Sequence, residues 1–160
     1  MRGYPVAMDS KIRRSPLIGW RLLALVYDFF PAVALWMLAS AAFTYGYYLA
    51  GHAPRDNIAP FTLLQWLLWL ACWFLTGAYA VVSWRHGGRT LGMRPWRLRV
   101  ANAEGTPASM RALVARYAIG SLSLLLLGAG FWWAWFDRDR LTWHDRLSRT
   151  RMVLDRKDSS

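Results

Sequence analysis

The sequence predicts an all-α integral membrane protein with two full transmembrane helices. It adds a third apolar helical segment (re-entrant or spanning), a small cytoplasmic β-strand pair and a short amphipathic helix. Three observations predict this class. Apolar stretches at about 20–50, 61–84 and 117–136 are each long enough to cross a bilayer core, which takes about 20 residues of helix. The arginines gather around these stretches, with few inside them. Composition agrees: 56% of the 160 residues are apolar, 11 are Trp and mean hydropathy is positive, all high for a soluble domain.

In chain order, residues 1–19 read as a basic lead, 20–154 as the membrane domain and 155–160 as a polar tail. The lead carries Arg2, Lys11, Arg13 and Arg14. The apolar stretch that follows is longer than a secretory signal core and contains Asp28, so a retained anchor is expected instead of a cleaved signal. That stretch, from Trp20 to about Ala50, is interrupted by Arg21 and Asp28. Their separation of seven residues is two helical turns, which puts both side chains on one face about 10 Å apart. Arg21, at the boundary, can snorkel into headgroups. Asp28 lies deeper. A carboxylate facing lipid at helix centre costs about 2.5–3.5 kcal/mol, and somewhat less at intermediate depth. Asp28 is therefore expected to face protein or a water-filled cavity, either in a structural ion pair or on a transport path.

The second stretch has no charge, and Trp66, Trp69, Trp73 and Trp84 suit lipid contact or an interfacial belt. Cys72, the single cysteine, excludes an intrachain disulfide and reads as packing. The 51–60 loop, GHAPRDNIAP, balances Arg55 with Asp56. Residues 85–116 instead carry seven arginines against Glu104, and the lead with Arg21 has five basic residues against Asp9. The positive-inside rule puts the N-terminus and the 85–116 loop in the cytoplasm and the 51–60 loop outside. The net charge of +11 thus flanks hydrophobic spans and forms no stripe interleaved with base-stacking aromatics, which excludes nucleic acid as a partner. The lipid bilayer, including anionic headgroups, is the expected partner, each basic residue near the surface contributing about 1 kcal/mol.

Within the basic loop, HGGRTLGMRPW (86–96) is glycine-punctuated and expected to turn tightly at the membrane surface. WRLRVANAEGTP reads as a short strand, Leu98 and Val100 alternating with Arg97 and Arg99, then a turn at 102–105. PASMRALVARY begins a helix that Ser109 can cap, with Leu113, Val114 and Tyr117 on its apolar side, and runs into the third stretch. LLLLGAGFWWAWF has Gly128 and Gly130 at its middle, where glycine costs about 1 kcal/mol in a helix and permits a sharp turn. A re-entrant hairpin would return the tail to the cytoplasm, in keeping with seven basic and four acidic side chains at 137–157. A plain crossing, with the glycines serving close packing, is the alternative.

In TWHDRLSRT, His144 reads as a solvated or capping histidine and Asp145 as a cap for a short helix or a partner for an arginine. No nucleophile–base pair or metal-ligand cluster is evident, and GGRTLG lacks the lysine of a phosphate loop. No enzyme activity and no cofactor are expected.

These blocks, taken in order, resemble the RDD family of membrane proteins, named for one arginine and two aspartates. WRLLALVYD carries the arginine and first aspartate as Arg21 and Asp28. GGRTLGMRPWRLRVANAEGTPASMRALVARY is similar to the central region, with Gly88, Thr90 and Gly92 in its Gly-x-Thr-Leu-Gly. WHDRLSRTRMV carries the second aspartate, Asp145, and the threonine that follows it, Thr150. The chain departs at Arg149, where many members have glycine. The resemblance covers residues 15–154 and implies a multi-pass bacterial inner-membrane protein, with transport of ions or small solutes proposed for some members. It also implies that Arg21, Asp28 and Asp145 act as a set. Arg21 and Asp145 can meet only if the tail is cytoplasmic, and TRMVLD (150–155) can pair with WRLRVA (96–101) only on that side. Two readings of function follow. One is a transport component with Asp28 as a proton or cation site, which at this size needs a homo-oligomer or membrane protein partner. The other is a structural or accessory protein whose charged set pins a basic cytoplasmic cap to the first helix.

Overall fold

A computed structural model describes residues 17–53, 57–102, 104–139 and 141–154. Most of the basic lead, the Arg55–Asp56 pair and the polar tail lie outside the described residues. The elements are α1 (Ile18–Leu49), α2 (Leu63–Gly87), β1 (Leu98–Asn102), α3 (Met110–Leu125), α4 (Ala129–Phe136), α5 (Trp143–Leu147) and β2 (Thr150–Leu154).

Helices α1 and α2 are long and apolar enough to cross a membrane. At 32 residues, α1 measures about 48 Å and exceeds a hydrocarbon core of about 30 Å, so its ends reach the interfaces. Pro31 lies inside it without ending it. Thr62 caps α2, its hydroxyl accepting from the Gln65 N–H, and Gly88 closes it at φ +69° with its N–H on the Trp84 carbonyl. Along both helices large apolar side chains point outward: Phe30, Met37 and Phe74 are all more than half exposed. Such contiguous apolar surface fits lipid as the surrounding medium.

The packed core sits at one end of this bundle. Ala24 of α1 and Val81 of α2 meet Met93, Leu98, Val100, Ala108 and Leu113, with Trp84, Trp96, Tyr117 and Leu154 against them. The 88–109 segment and the chain after α4 thus form a polar cap on an apolar nucleus. Its small sheet is antiparallel, Leu98 opposite Leu154 and Asn102 opposite Thr150.

The third stretch is two helices bent by 96°. Ser109 caps α3, its Oγ accepting from the Ala112 N–H at 3.3 Å. No separate amphipathic helix precedes α3 among the described residues: the expected one forms its first turns. The break falls at Leu126–Gly128, with Leu127 at φ +54° and Gly128 at φ +76°. Glycine takes that left-handed backbone without a Cβ clash, and its N–H caps the Ser123 carbonyl at 2.8 Å. Because β1 precedes the bent pair and β2 follows it, the chain enters and leaves the third segment on one face. Gly128 serves the turn, Gly130 serves close packing, since a Cβ there would fall 2.5 Å from Ser123 Oγ, and the straight-crossing alternative does not form.

Arg149, the departure from the family's glycine, lies at φ +53° where α5 turns into β2. That conformation costs an L-residue about 1–2 kcal/mol, against about 0.5–1 kcal/mol for the extra freedom of glycine in the unfolded chain. Arg149→Gly is therefore expected to raise the thermal midpoint in detergent by about 1–3 °C. A fall would show that the arginine side chain contributes more than its backbone strain removes.

Candidate functional site

The site grows from α5, a single turn of helix. Thr142 is its N-cap, and Thr142 with Asp145 forms a capping box: each side chain accepts from the other's backbone N–H. This local motif places the Asp145 carboxylate at the bottom of the cap, facing α1 and α3. Arg21 of α1 donates from Nη1 to Asp145 Oδ2 at 2.5 Å and to Thr142 Oγ1 at 3.1 Å. Arg116 of α3 donates from Nη1 to Asp145 Oδ1 at 2.5 Å and to Thr150 Oγ1 at 2.7 Å. The Arg116 guanidinium also lies 5.7 Å over the Trp84 ring of α2. One carboxylate thereby joins α1, α3, α5 and, through Arg116, the start of β2.

All three charged groups are buried: Arg21, Arg116 and Asp145 are 5%, 3% and 1% exposed. Burial alone would push the Asp145 carboxyl up, but the Arg116 and Arg21 guanidiniums outweigh it and hold it well below the usual carboxylate range. Asp145 is ionised at neutral pH, so two buried cations share one buried anion.

His144 departs from its sequence expectation. It is 4% exposed, its ring centroid 4.8 Å from that of Phe131, and neither solvated nor the cap of α5. Burial first, and the Arg116 charge second, push it down to about 3. The neutral imidazole is the folded-state form. Its neighbour Ser148 donates to the His144 carbonyl and shares a hydrogen bond with Thr150 at 2.7 Å.

Asp28 lies apart from this cluster and is not paired with Arg21. Its Oδ1 accepts from Tyr79 Oη and from the Gly92 N–H, each at 2.9 Å, and its Oδ2 accepts from Thr90 Oγ1. The Leu91 N–H in turn donates to Tyr79 Oη at 3.1 Å. A Cβ at Gly92 would fall 2.2 Å from the Ala24 carbonyl and 2.7 Å from the Asp28 backbone nitrogen. Only glycine lets the 88–92 turn press against α1 this closely. Thr90 and Gly92 of the loop motif thus act on Asp28, Thr150 on Arg116, and Gly88 ends α2.

Of the three residues taken from sequence as a set, the structure joins Arg21 to Asp145 and leaves Asp28 to a second station on the same helix. Arg116, Thr142 and Tyr79 are the residues that sequence reasoning missed. Thr142-x-x-Asp145 is a readable capping-box signature. Arg116 stood among seven arginines of its segment, with nothing to single it out, and Tyr79 lay in an uncharged apolar helix. Among the described residues no cluster of His, Cys, Asp or Glu could hold a metal ion.

Two membrane-length helices and a bent third pair, tied at one end by buried Arg–Asp contacts, define a small multi-pass membrane protein. The RDD family model matches residues 15–149, and the chain belongs to the RDD family. Comparison with curated proteins and with solved structures gave no match.

The His144 shift has a consequence for stability. The unfolded chain takes up a proton near the ordinary histidine value of about 6.5, while the folded chain resists until about 3. Stability therefore falls as pH drops through that window. Asp145, with its lowered pKa, adds to the loss as pH falls into and below the ordinary carboxylate range. The thermal midpoint in detergent is expected to decline between pH 7 and pH 4, and His144→Gln to flatten the decline. An unchanged slope in the variant would remove His144 as its source.

Proposed function

We propose that this is an inner-membrane accessory protein in which Arg21, Asp28 and Asp145 pin a basic cytoplasmic cap to the first helix. The observation that supports it is that every charged group of the set bridges α1 to the cap. Arg21 reaches Asp145 and Thr142 on α5, while Asp28 receives Thr90 and Gly92 from the 88–92 turn. A carboxylate whose lone pairs accept three hydrogen bonds has little left to offer a passing ion. The cytoplasmic side follows from the seven arginines of 85–116 and the positive-inside rule. Held rigid, the cap presents its arginines to anionic headgroups or to a membrane protein partner.

One observation favours the transport reading. Among the described residues only uncharged donors hydrogen-bond to Asp28, which favours a proton or metal cation as its complement. This reading needs a homo-oligomer to enclose a path. Asp28→Asn separates the two. As a clamp residue it is expected to lower stability by about 1–3 kcal/mol, since the asparagine amide meets donors on every side, and purified wild-type protein in liposomes is expected to show no proton or sodium flux. Wild-type flux that Asp28→Asn abolishes at unchanged thermal midpoint would overturn the clamp.

A further inference from the structure

Helix α3 reaches only halfway into a bilayer. Arg116 shares Asp145 with Arg21, which fixes the depth of α3 against α1. From Arg116 to its end at Leu125, α3 descends by at most about 14 Å, half of a hydrocarbon core of about 30 Å. From Arg21 to its end at Leu49, α1 runs about 42 Å and passes through both leaflets. After α3 the chain turns by 96°, and Trp132 and Trp135 of α4 come to lie beside Leu22 and Leu23 in the first turns of α1. Helix α4 buries Gly130, Phe131 and Ala134 and turns Trp132, Trp133 and Trp135 outward, each about half exposed. Leu127 at the bend is 92% exposed and Phe136 at the end of α4 is 84% exposed. We propose that α3 and α4 form a one-leaflet wedge, which spreads the acyl chains on the cap side and gives the protein a preference for membrane that is convex on that side.

Three features make lipid the occupant of this surface. First, it is continuous with a lipid-facing helix, since α4 lies against the outward side chains of α1 at Leu22 and Leu23. Second, no charge stands between Arg116 and Asp137, and the outward tryptophans of α4 suit the boundary between headgroups and acyl chains. Third, the chain enters and leaves the segment on the cap side, so its apolar bulk is confined to that leaflet. At the other end of α1 and α2 no helix or strand lies between them among the described residues. The cap-side leaflet therefore holds three apolar elements where the opposite leaflet holds two. Apolar bulk inserted at one interface binds in a curvature-sensitive way, because convex membrane opens room between its headgroups. The wedge goes beyond the clamp of the proposed function, for its lipid-facing side chains lie outside the Asp145 and Asp28 contacts.

Leu127 and Phe136 supply the test. Both are exposed, and asparagine tolerates the left-handed backbone of Leu127 at φ +54°. Leu127→Asn with Phe136→Ser thus shrinks the wedge and is expected to keep the thermal midpoint in detergent, which distinguishes loss of the wedge from loss of the clamp. Full-length protein would be placed in giant vesicles of neutral phosphatidylcholine, where the basic cap has no anionic lipid to attract. Strand β2 lies in the cap and ends six residues before Ser160. An impermeant dye on a tag appended after Ser160 therefore marks the molecules whose cap faces out. In a membrane tube pulled from the vesicle, these molecules are expected to be enriched relative to a lipid dye, increasingly so as the tube narrows. The double variant is expected to lose most of that excess, whereas Met37→Ser, which alters an exposed side chain within the α1 span, is expected to keep it. Even distribution of the wild type would overturn the wedge. So would full enrichment in the folded double variant, which would assign the effect to the cap, or enrichment that vanishes on dilution, which would assign it to a second copy.

Discussion

The structure depends on one buried carboxylate. Asp145 accepts from two guanidiniums that come from helices far apart in sequence, Arg21 on α1 and Arg116 on α3. Removing charges from water is unfavourable, and a buried pair is no guarantee of net stability over an apolar replacement. What it does impose is geometry. Neither arginine can withdraw without taking the guanidinium donor from one oxygen of the buried carboxylate. The chain must therefore turn back after α3, and the 96° break at Leu126–Gly128 is the device that lets it. The β1–β2 pairing then becomes possible, because both strands are delivered to one face.

The second station follows from the same helix. Two turns beyond Arg21, Asp28 receives the 88–92 turn through neutral donors alone, with Gly92 allowing backbone contact at α1. The two stations differ in chemistry. Asp145 is held by charge and is fully buried, whereas Asp28 is held by hydroxyls and an N–H and is only partly buried. Their shared product is a cap registered against α1 at two heights. The lower part of the bundle has no comparable polar ties among its described residues. It relies on apolar packing with a few hydroxyl and indole contacts, such as Trp36 to Thr76 at 2.8 Å.

Much of this was legible in the sequence. The two membrane-length helices followed from length and hydropathy, the α3 start from Ser109 and the first strand from its alternation, while Gly128 and Gly130 offered the bend as one of two alternatives. The cap motifs are local, so they could be read from neighbours. What could not be read was which arginine meets which aspartate. The family resemblance implied that Arg21, Asp28 and Asp145 act as one set, yet on a membrane helix a seven-residue spacing separates two stations as readily as it joins one. Arg116 was hidden because burial, not residue type, distinguishes it from the other arginines of its segment. The burial of His144 likewise depends on Phe131 of α4 folding back over it, a contact that exists only once the third segment has turned.

The central claim is that Arg21 and Asp145 act as one unit across the boundary between α1 and the cap. A double-mutant cycle measures this directly. Thermal or denaturant unfolding of wild type, Arg21→Gln, Asp145→Asn and the double variant, all in one detergent, gives the coupling free energy. The account predicts about 2–3 kcal/mol, at the upper end for residues in direct contact within one network. Additive losses within about 0.5 kcal/mol would contradict it and leave the cap held to α1 by apolar packing alone.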